Sequence, residues 1–315
     1  MVDVLKRCVK YVVAIIAVCL VALFVDLSAV KSALQSVSLK DLMILLALSF
    51  LLVYVSVVKW QAFLERLGIT AARPHLFRLY LVGYFVNLLM PSAVGGDVVR
   101  SVYVGKNVDK VRAVSATMLE RYTGLLAMVV MASVSVCFAP TVTRQIQVLT
   151  VLVVLGVIAG TVLVASGALE WLLSRLRCPE RVVARVSRMH EALRWGLSDR
   201  SLLVKVGLLS FLFHILTVVN TVAVASAVGW TTAPWADLFV VVPLILLVGA
   251  VPISPQGLGL QEGAFVFFLH SVGASTGEAL AIALVLRAKS YVLALFGAVA
   301  WVSLPKGRVV DEAVS

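Results

Sequence analysis

Charge is scarce in this sequence. Only 14% of its 315 residues are Asp, Glu, Lys or Arg and 62% are apolar, whereas water-soluble domains run nearer a quarter charged and half apolar. That excludes a soluble globule, and with a mean hydropathy of +1.06 the chain reads as an all-α integral membrane protein. Clusters that carry chemistry are missing as well. Cys8, Cys19, Cys137 and Cys178 lie in apolar runs or beside basic residues, with no CxxC pair, so neither a disulfide framework nor a zinc site is indicated. His75, His190, His214 and His270 are scattered, without HExxH or HxxE spacing, which argues against metal chemistry. No Gly-Lys-Ser/Thr follows Gly95 and Gly96, the glycines at 257 and 259 miss GxGxxG spacing, and no Ser/His, Cys/His or DxxD arrangement is present. Nucleotide loops, covalent catalysis and a paired-carboxylate magnesium site therefore drop out. We expect no cofactor, no metal and no enzyme. The apolar run from Tyr11, preceded by Lys6, Arg7 and Lys10, has no clean small-x-small cleavage site after it and is read as a retained first span.

What is present is a series of apolar runs near the length that crosses about 30 Å of hydrocarbon, uncharged except for Glu120 and Arg121 in one and Arg287 and Lys289 in the last. They are Tyr11 to Val25 (extendable to Val30), Leu42 to Val58, Leu79 to Gly96, Ala113 to Thr143, Ile146 to Leu169, Val206 to Ala236, Leu238 to Gln261 and Ala279 to Leu304, with a short apolar arm from Gly263 to Gly277. A basic segment, Glu170 to Arg200, interrupts them. Two of the runs are broken by proline and glycine and then deliver a carboxylate, which ordinary spanning helices avoid because unpaired backbone and charge are costly in lipid. The first break holds Asn87, Pro91, Gly95, Gly96, Asp97 and Arg100; the second holds Pro252, Pro255, Gly257, Gly259 and Glu262.

The net charge of +11 could suggest nucleic acid, but on a membrane protein an excess of Lys and Arg marks cytoplasmic loops. If Leu79 to Gly96 dips in and returns, 21 of the 27 Lys and Arg, Lys59 among them, fall on the cytoplasmic side. Three (Lys31, Lys40, Arg144) then fall outside and three (Arg121, Arg287, Lys289) within spans. The expected architecture is a single transmembrane domain over 1–315. It has six full spans plus two re-entrant helical hairpins entering from opposite faces, and both termini are cytoplasmic. Repeat 1 covers about 41–138, the basic cytoplasmic segment 170–200 and repeat 2 about 202–304. Asp97 precedes Arg121 by 24 residues and Glu262 precedes Arg287 by 25, so the halves form an inverted repeat. Broken helices meeting near the midplane of such repeats are a transporter arrangement, with the substrate between the halves.

Several residues carry specific expectations. The glycines before Asp97 let the chain turn and free backbone N–H groups for an anion, and a short helix starting near Glu262 does the same. Glu120 and Arg121 lie inside a span, where arginine must be paired and intramembrane charge points to function. Arg287 faces the site at a matching depth, with Lys289 reaching outer headgroups and Glu262, Glu278 or a lipid phosphate as counterion. Arg181, Arg185 and Arg188 share one helical face, which suits an interfacial helix on the anionic leaflet. A solvated basic loop explains the same residues equally well. Gly156 and Gly160 form a GxxxG packing signal; Asn87 and Asn220 are expected cross-helix hydrogen-bonders.

Taken together, Asn87-x-x-x-Pro91, Gly95-Gly96-Asp97-x-x-Arg100, Glu120-Arg121, a Pro-x-x-x-Gly-x-Gly-x-x-Glu-like element and an arginine in the last span resemble the transmembrane flippase domain of lysylphosphatidylglycerol synthases. That domain also occurs alone in flippase-like membrane proteins. The resemblance runs from the first span to Leu304. In bifunctional members a soluble aminoacyl-transferase domain follows, whereas this chain stops at Ser315, so the resemblance implies lipid translocation or binding rather than lysine transfer. Standalone members are similar to proteins near hopanoid and polyprenyl-linked glycan pathways. The expected function is a flippase-like transporter in the plasma membrane, moving an anionic phospholipid or a polyprenyl-linked or other isoprenoid-linked lipid. Its substrate site comprises Asn87, Gly95, Gly96, Asp97, Arg100, Glu120, Arg121, Pro255, Gly257, Gly259, Glu262 and Arg287. The rivals are an intramembrane lipid-modifying enzyme, with Asp97 or Glu262 as general base, and a non-transporting scaffold for a lipid or glycan synthase. The expected partners are an anionic lipid headgroup and the bilayer, not nucleic acid; a homo-oligomer or a partner synthase stays open.

Overall fold

A computed structural model describes residues 27–90, 95–105, 110–175, 179–180, 183–184, 186–187, 190–191, 199–251 and 253–303. The expected first span as far as Val25, the two prolines Pro91 and Pro252, and Arg181, Arg185 and Arg188 lie outside these residues. Eleven numbered α-helices follow in order: α1 (Leu27–Gln35), α2 (Leu39–Arg66), α3 (Arg73–Leu89), α4 (Gly95–Gly105), α5 (Lys110–Ser135), α6 (Arg144–Ala165), α7 (Ala168–Arg175), α8 (Arg200–Ala227), α9 (Trp235–Ala250), α10 (Leu260–His270) and α11 (Thr276–Val302), with a 3₁₀ turn at Pro255–Gly257 between α9 and α10. Among the described residues, α2, α6, α8 and α11 are long and apolar enough to cross a membrane, and α9 is a shorter apolar helix. The span expected over Ala113 to Thr143 is α5, 26 residues long; Lys110, Arg112, Glu120 and Arg121 make it less apolar than the others.

Three of the long helices begin where the sequence supplies caps. Ser38 and Asp41 form a capping box at α2, Ser275 and Glu278 do so at α11, and the Asp199 carboxylate accepts from the Leu202 N–H at α8. Each satisfies backbone donors that a helix start leaves unpaired. The Asp199 carboxyl is held below the usual carboxylate range, first by that backbone bond and also by Arg66. Glu278, considered above as a counterion, is therefore committed to its cap. Helix starts and ends shift from the uncharged runs because charged residues extend them: α2 continues past Val58 to Arg66, and α8 begins at Arg200 rather than Val206.

One order of lengths occurs twice. α2, α3, α4 and α5 have 28, 17, 11 and 26 residues; α8, α9, α10 and α11 have 28, 16, 11 and 27. At about 1.5 Å per residue an 11-residue helix covers about 16 Å, half of the hydrocarbon, so α4 and α10 are too short to cross alone. The contacts repeat too: α3 packs on α11 while α9 packs on α5, and α2 lies against α8. The apolar core is correspondingly split. One cluster gathers α9, α10, the first half of α11 and the end of α8 around Leu238, Ile245, Leu269 and Ile282. The other gathers α2, α3 and the first half of α5 around Trp60, Phe63, Leu76 and Leu79.

Close approach, not turning, is what several glycines provide. A Cβ on Gly96 would stand 2.0 Å from the Gly83 carbonyl oxygen, and one on Gly297 would stand 2.1 Å from that of Leu81. Gly96 thus lets α4 lie directly on α3, and Gly297 lets α11 lie on α3. The GxxxG glycines behave otherwise. Gly156 and Gly160 have no atom within 4 Å of an added Cβ and are exposed on α6, so the expected packing partner is not found among the described residues.

A charged cavity between two helical units

The charged residues of the first unit converge behind Arg121. Asp97, third residue of α4, receives Arg121 in a fork: Nε to Oδ2 at 2.8 Å and Nη2 to Oδ1 at 2.9 Å. Such paired N–H···O contacts give the strongest carboxylate pairing. The same carboxylate holds Arg100 at 3.0 Å, and Arg100 in turn reaches Glu120 at 2.7 Å. Glu120 is also the acceptor for the Tyr80 hydroxyl at 2.8 Å. The Arg100 guanidinium lies 4.5 Å from the Trp60 ring centroid and 4.2 Å from that of Tyr80, within cation–π range. Trp60 donates to Thr117 at 3.0 Å, and Thr117 shares a hydrogen bond with Ser101 at 2.7 Å. A fully buried arginine is thereby surrounded by two carboxylates and two aromatic faces, which is what burial of a charge requires.

The second unit repeats the outer pair and omits the inner one. Glu262, third residue of α10, is ion-paired with Arg287, twelfth residue of α11; Arg121 is likewise the twelfth residue of α5. The other Glu262 oxygen accepts from the Gly259 N–H at 2.8 Å and so caps α10. Where Arg100 and Glu120 stand relative to their pair, the second unit has Phe265 and Leu286.

Arg121 and the Glu262–Arg287 pair open on one cavity of about 640 Å³, lined also by Tyr80, Tyr84, Glu120 and His214, among others. The units also touch directly. Gln256 adopts a left-handed backbone (φ 51°), unusual for a residue other than glycine, and its side-chain amide donates to the Leu88 carbonyl at 2.9 Å. The tip of the second break is thus fastened to the end of α3.

Of the candidate residues, Glu120, Arg121, Glu262 and Arg287 line the cavity, with Asp97 and Arg100 bonded to them from behind. Pro255, Gly257 and Gly259 shape the second break; Gly257 and Gly259 have φ of 67° and 75°. Asn87 and Gly95 flank the first, at the end of α3 and the start of α4. The expectation of free N–H groups at Gly95 and Gly96 is corrected at Gly96, whose N–H donates to Asn87 Oδ1 at 2.7 Å. Asn87 and Asn220 are cross-helix hydrogen-bonders as expected, the latter to Lys289. Two lysines depart from their expected places. Lys289 is buried against Asn220 instead of reaching headgroups, and Lys59, counted with the cytoplasmic loops, is only 5% exposed and lines the cavity. His214, also lining it, donates from Nε2 to the Gly124 carbonyl at 2.9 Å, its one hydrogen bond among the described residues. No group of His, Cys, Asp and Glu among these residues is placed to hold a metal ion.

Apolar long helices around a charged interior define an integral membrane protein with several apolar helices. The chain belongs to the family of the lysylphosphatidylglycerol synthase transmembrane region, whose model matches residues 9–297; this is the membrane region and not the catalytic domain of those synthases. It is also similar to a UPF0104 membrane protein of Methanothermobacter thermautotrophicus, 25% identical over an alignment covering 91% of each chain.

Proposed function

We propose that this protein is a flippase-like transporter that passes a lipid with an anionic headgroup between leaflets of the plasma membrane. α3–α4 and α9–α10 act as two re-entrant hairpins within six spans, arranged as an inverted repeat with both termini cytoplasmic. The observation that carries this reading is the shared cavity, lined by one arginine from each unit at the same helix position, Arg121 and Arg287, each held by a carboxylate. Matching helix lengths and reciprocal packing of α3 on α11 and α9 on α5 support the repeat. Intramembrane arginines held by carboxylates are poised to exchange that partner for a phosphate, while the acyl or isoprenoid chains stay in the bilayer. The residues placed on the substrate path are Arg121 and Arg287 in contact, Asp97, Glu120, Glu262 and Arg100 as their counter-charges, and the Asn87, Gly95, Gly96, Pro255, Gly257 and Gly259 breaks as the hinges.

Reconstituted liposomes with a fluorescent anionic phospholipid in both leaflets test this. Bleaching of the inner-leaflet pool by a membrane-impermeant reductant should be fast with the native protein and slow in both Arg121→Ala and Arg287→Ala. If both variants keep full lipid movement, the buried charges are structural and the transport reading falls.

A further inference from the structure

Charges around the cavity do not balance. Five cationic side chains, Lys59, Arg100, Arg121, Arg287 and Lys289, face three carboxylates, Asp97, Glu120 and Glu262. The arginines take all three. Both surplus cations are the lysines: Lys59 makes no ion pair or hydrogen bond among the described residues, its Nζ lies 5.9 Å from the Phe213 ring, and Glu120, already held by Arg100 and Tyr80, attracts it only from beyond ion-pair distance. Lys289 has only the neutral Asn220 amide. They are 5% and 8% exposed, and each comes from a different unit, α2 and α11. A buried ammonium without a carboxylate is costly, so a pair of them facing one cavity calls for a counter-charge that arrives from outside the protein.

We infer, resting on the lipid-transport reading, that the cavity takes a dianionic phosphate group, a phosphomonoester or diphosphate, with Lys59 and Lys289 as its charge-matching residues. A phosphodiester headgroup brings one negative charge and leaves one lysine uncompensated. A phosphomonoester carries nearly two at neutral pH, because its second ionisation falls near pH 6. Recognition is then a matter of charge count: the arginines, already paired, orient the phosphate, and the lysines discriminate a dianion from a monoanion.

The test uses the full chain in phosphatidylcholine nanodiscs doped equally with dioleoyl phosphatidic acid or dioleoyl phosphatidylglycerol, with bound lipid read by native mass spectrometry. The native protein should retain phosphatidic acid over phosphatidylglycerol by at least about tenfold. Lys59→Gln and Lys289→Gln should each reduce that preference, and the double variant should lose it while still binding phosphatidylglycerol. Equal retention of the two lipids by the native protein would overturn the dianion inference and leave the lipid reading standing; retention of neither would overturn both. Pyrophosphate alone that saturates the site and is not displaced by phosphatidic acid would keep the charge count but make the ligand a soluble anion, against the lipid reading. In discs of phosphatidylcholine alone, Lys59→Gln should hold or raise the unfolding temperature, since it removes an uncompensated charge. A fall there would assign Lys59 a structural role and overturn its part in the inference.

Discussion

The two arginine–carboxylate pairs sit at the same helix positions yet are built to different depths. Asp97 is shared by Arg121 and Arg100, so a phosphate that draws Arg121 away leaves Asp97 still paired. Among the described residues Glu262 is bonded to Arg287 and the Gly259 N–H alone, so losing Arg287 strips its counter-charge. Accessibility runs the same way: the Arg121 side chain is 58% exposed and that of Arg287 12%. The lesson is that equal spacing does not mean equal roles. The first unit holds a buried inner arginine and an exposed outer one, and the second holds a single arginine under cover.

The largest expected effect would sharpen this contrast. Arg100→Ala leaves Glu120 buried with only the Tyr80 hydroxyl, and breaking a buried pair by removing one partner costs about 3–5 kcal/mol; Arg287→Ala should cost about 2 kcal/mol, since Glu262 retains its backbone donor. Thermal unfolding in one detergent compares them, and equal losses would erase the distinction between the units. Next comes Gly96→Ala, which drives a methyl into the Gly83 carbonyl and should cost about 1–3 kcal/mol as overpacking. Gly156→Ala on α6, where a Cβ meets nothing, should hold stability or raise it by up to about 1 kcal/mol, and a similar outcome for the two would mean that the α3–α4 contact is loose. A smaller loss than that of Gly96→Ala is expected of Thr117→Val, which removes the acceptor for Trp60 and the link to Ser101 at about 1 kcal/mol. If Arg287→Ala is affected as much by the added Thr117→Val as Arg100→Ala is, the network is not confined to the first unit.

Much of this was legible in the chain because glycine, proline and carboxylate together are hard to tolerate in lipid for any other reason. The breaks, the 24- and 25-residue spacings and the pairing of both intramembrane arginines all followed from that. Lys59 did not, because it falls at the edge of an uncharged run, where a cavity lysine and a headgroup lysine have the same hydropathy. Trp60 and Tyr80 were hidden for a similar cause: aromatics near the end of an apolar run read as interface anchors or core, and only their approach to Arg100 reveals them. The glycine pair misled about mechanism, since sequence distinguishes poorly between a glycine that turns and one that lets two backbones touch. Gly96 does the second.

The most direct test of an anionic lipid held between the two units is native mass spectrometry of the gently solubilised protein with lipid identification, comparing the native chain with Arg121→Ala and Arg287→Ala. Selective co-purification of an anionic lipid by the native protein, lost in both variants, is the predicted result. The same unselective lipid on all three proteins would contradict it.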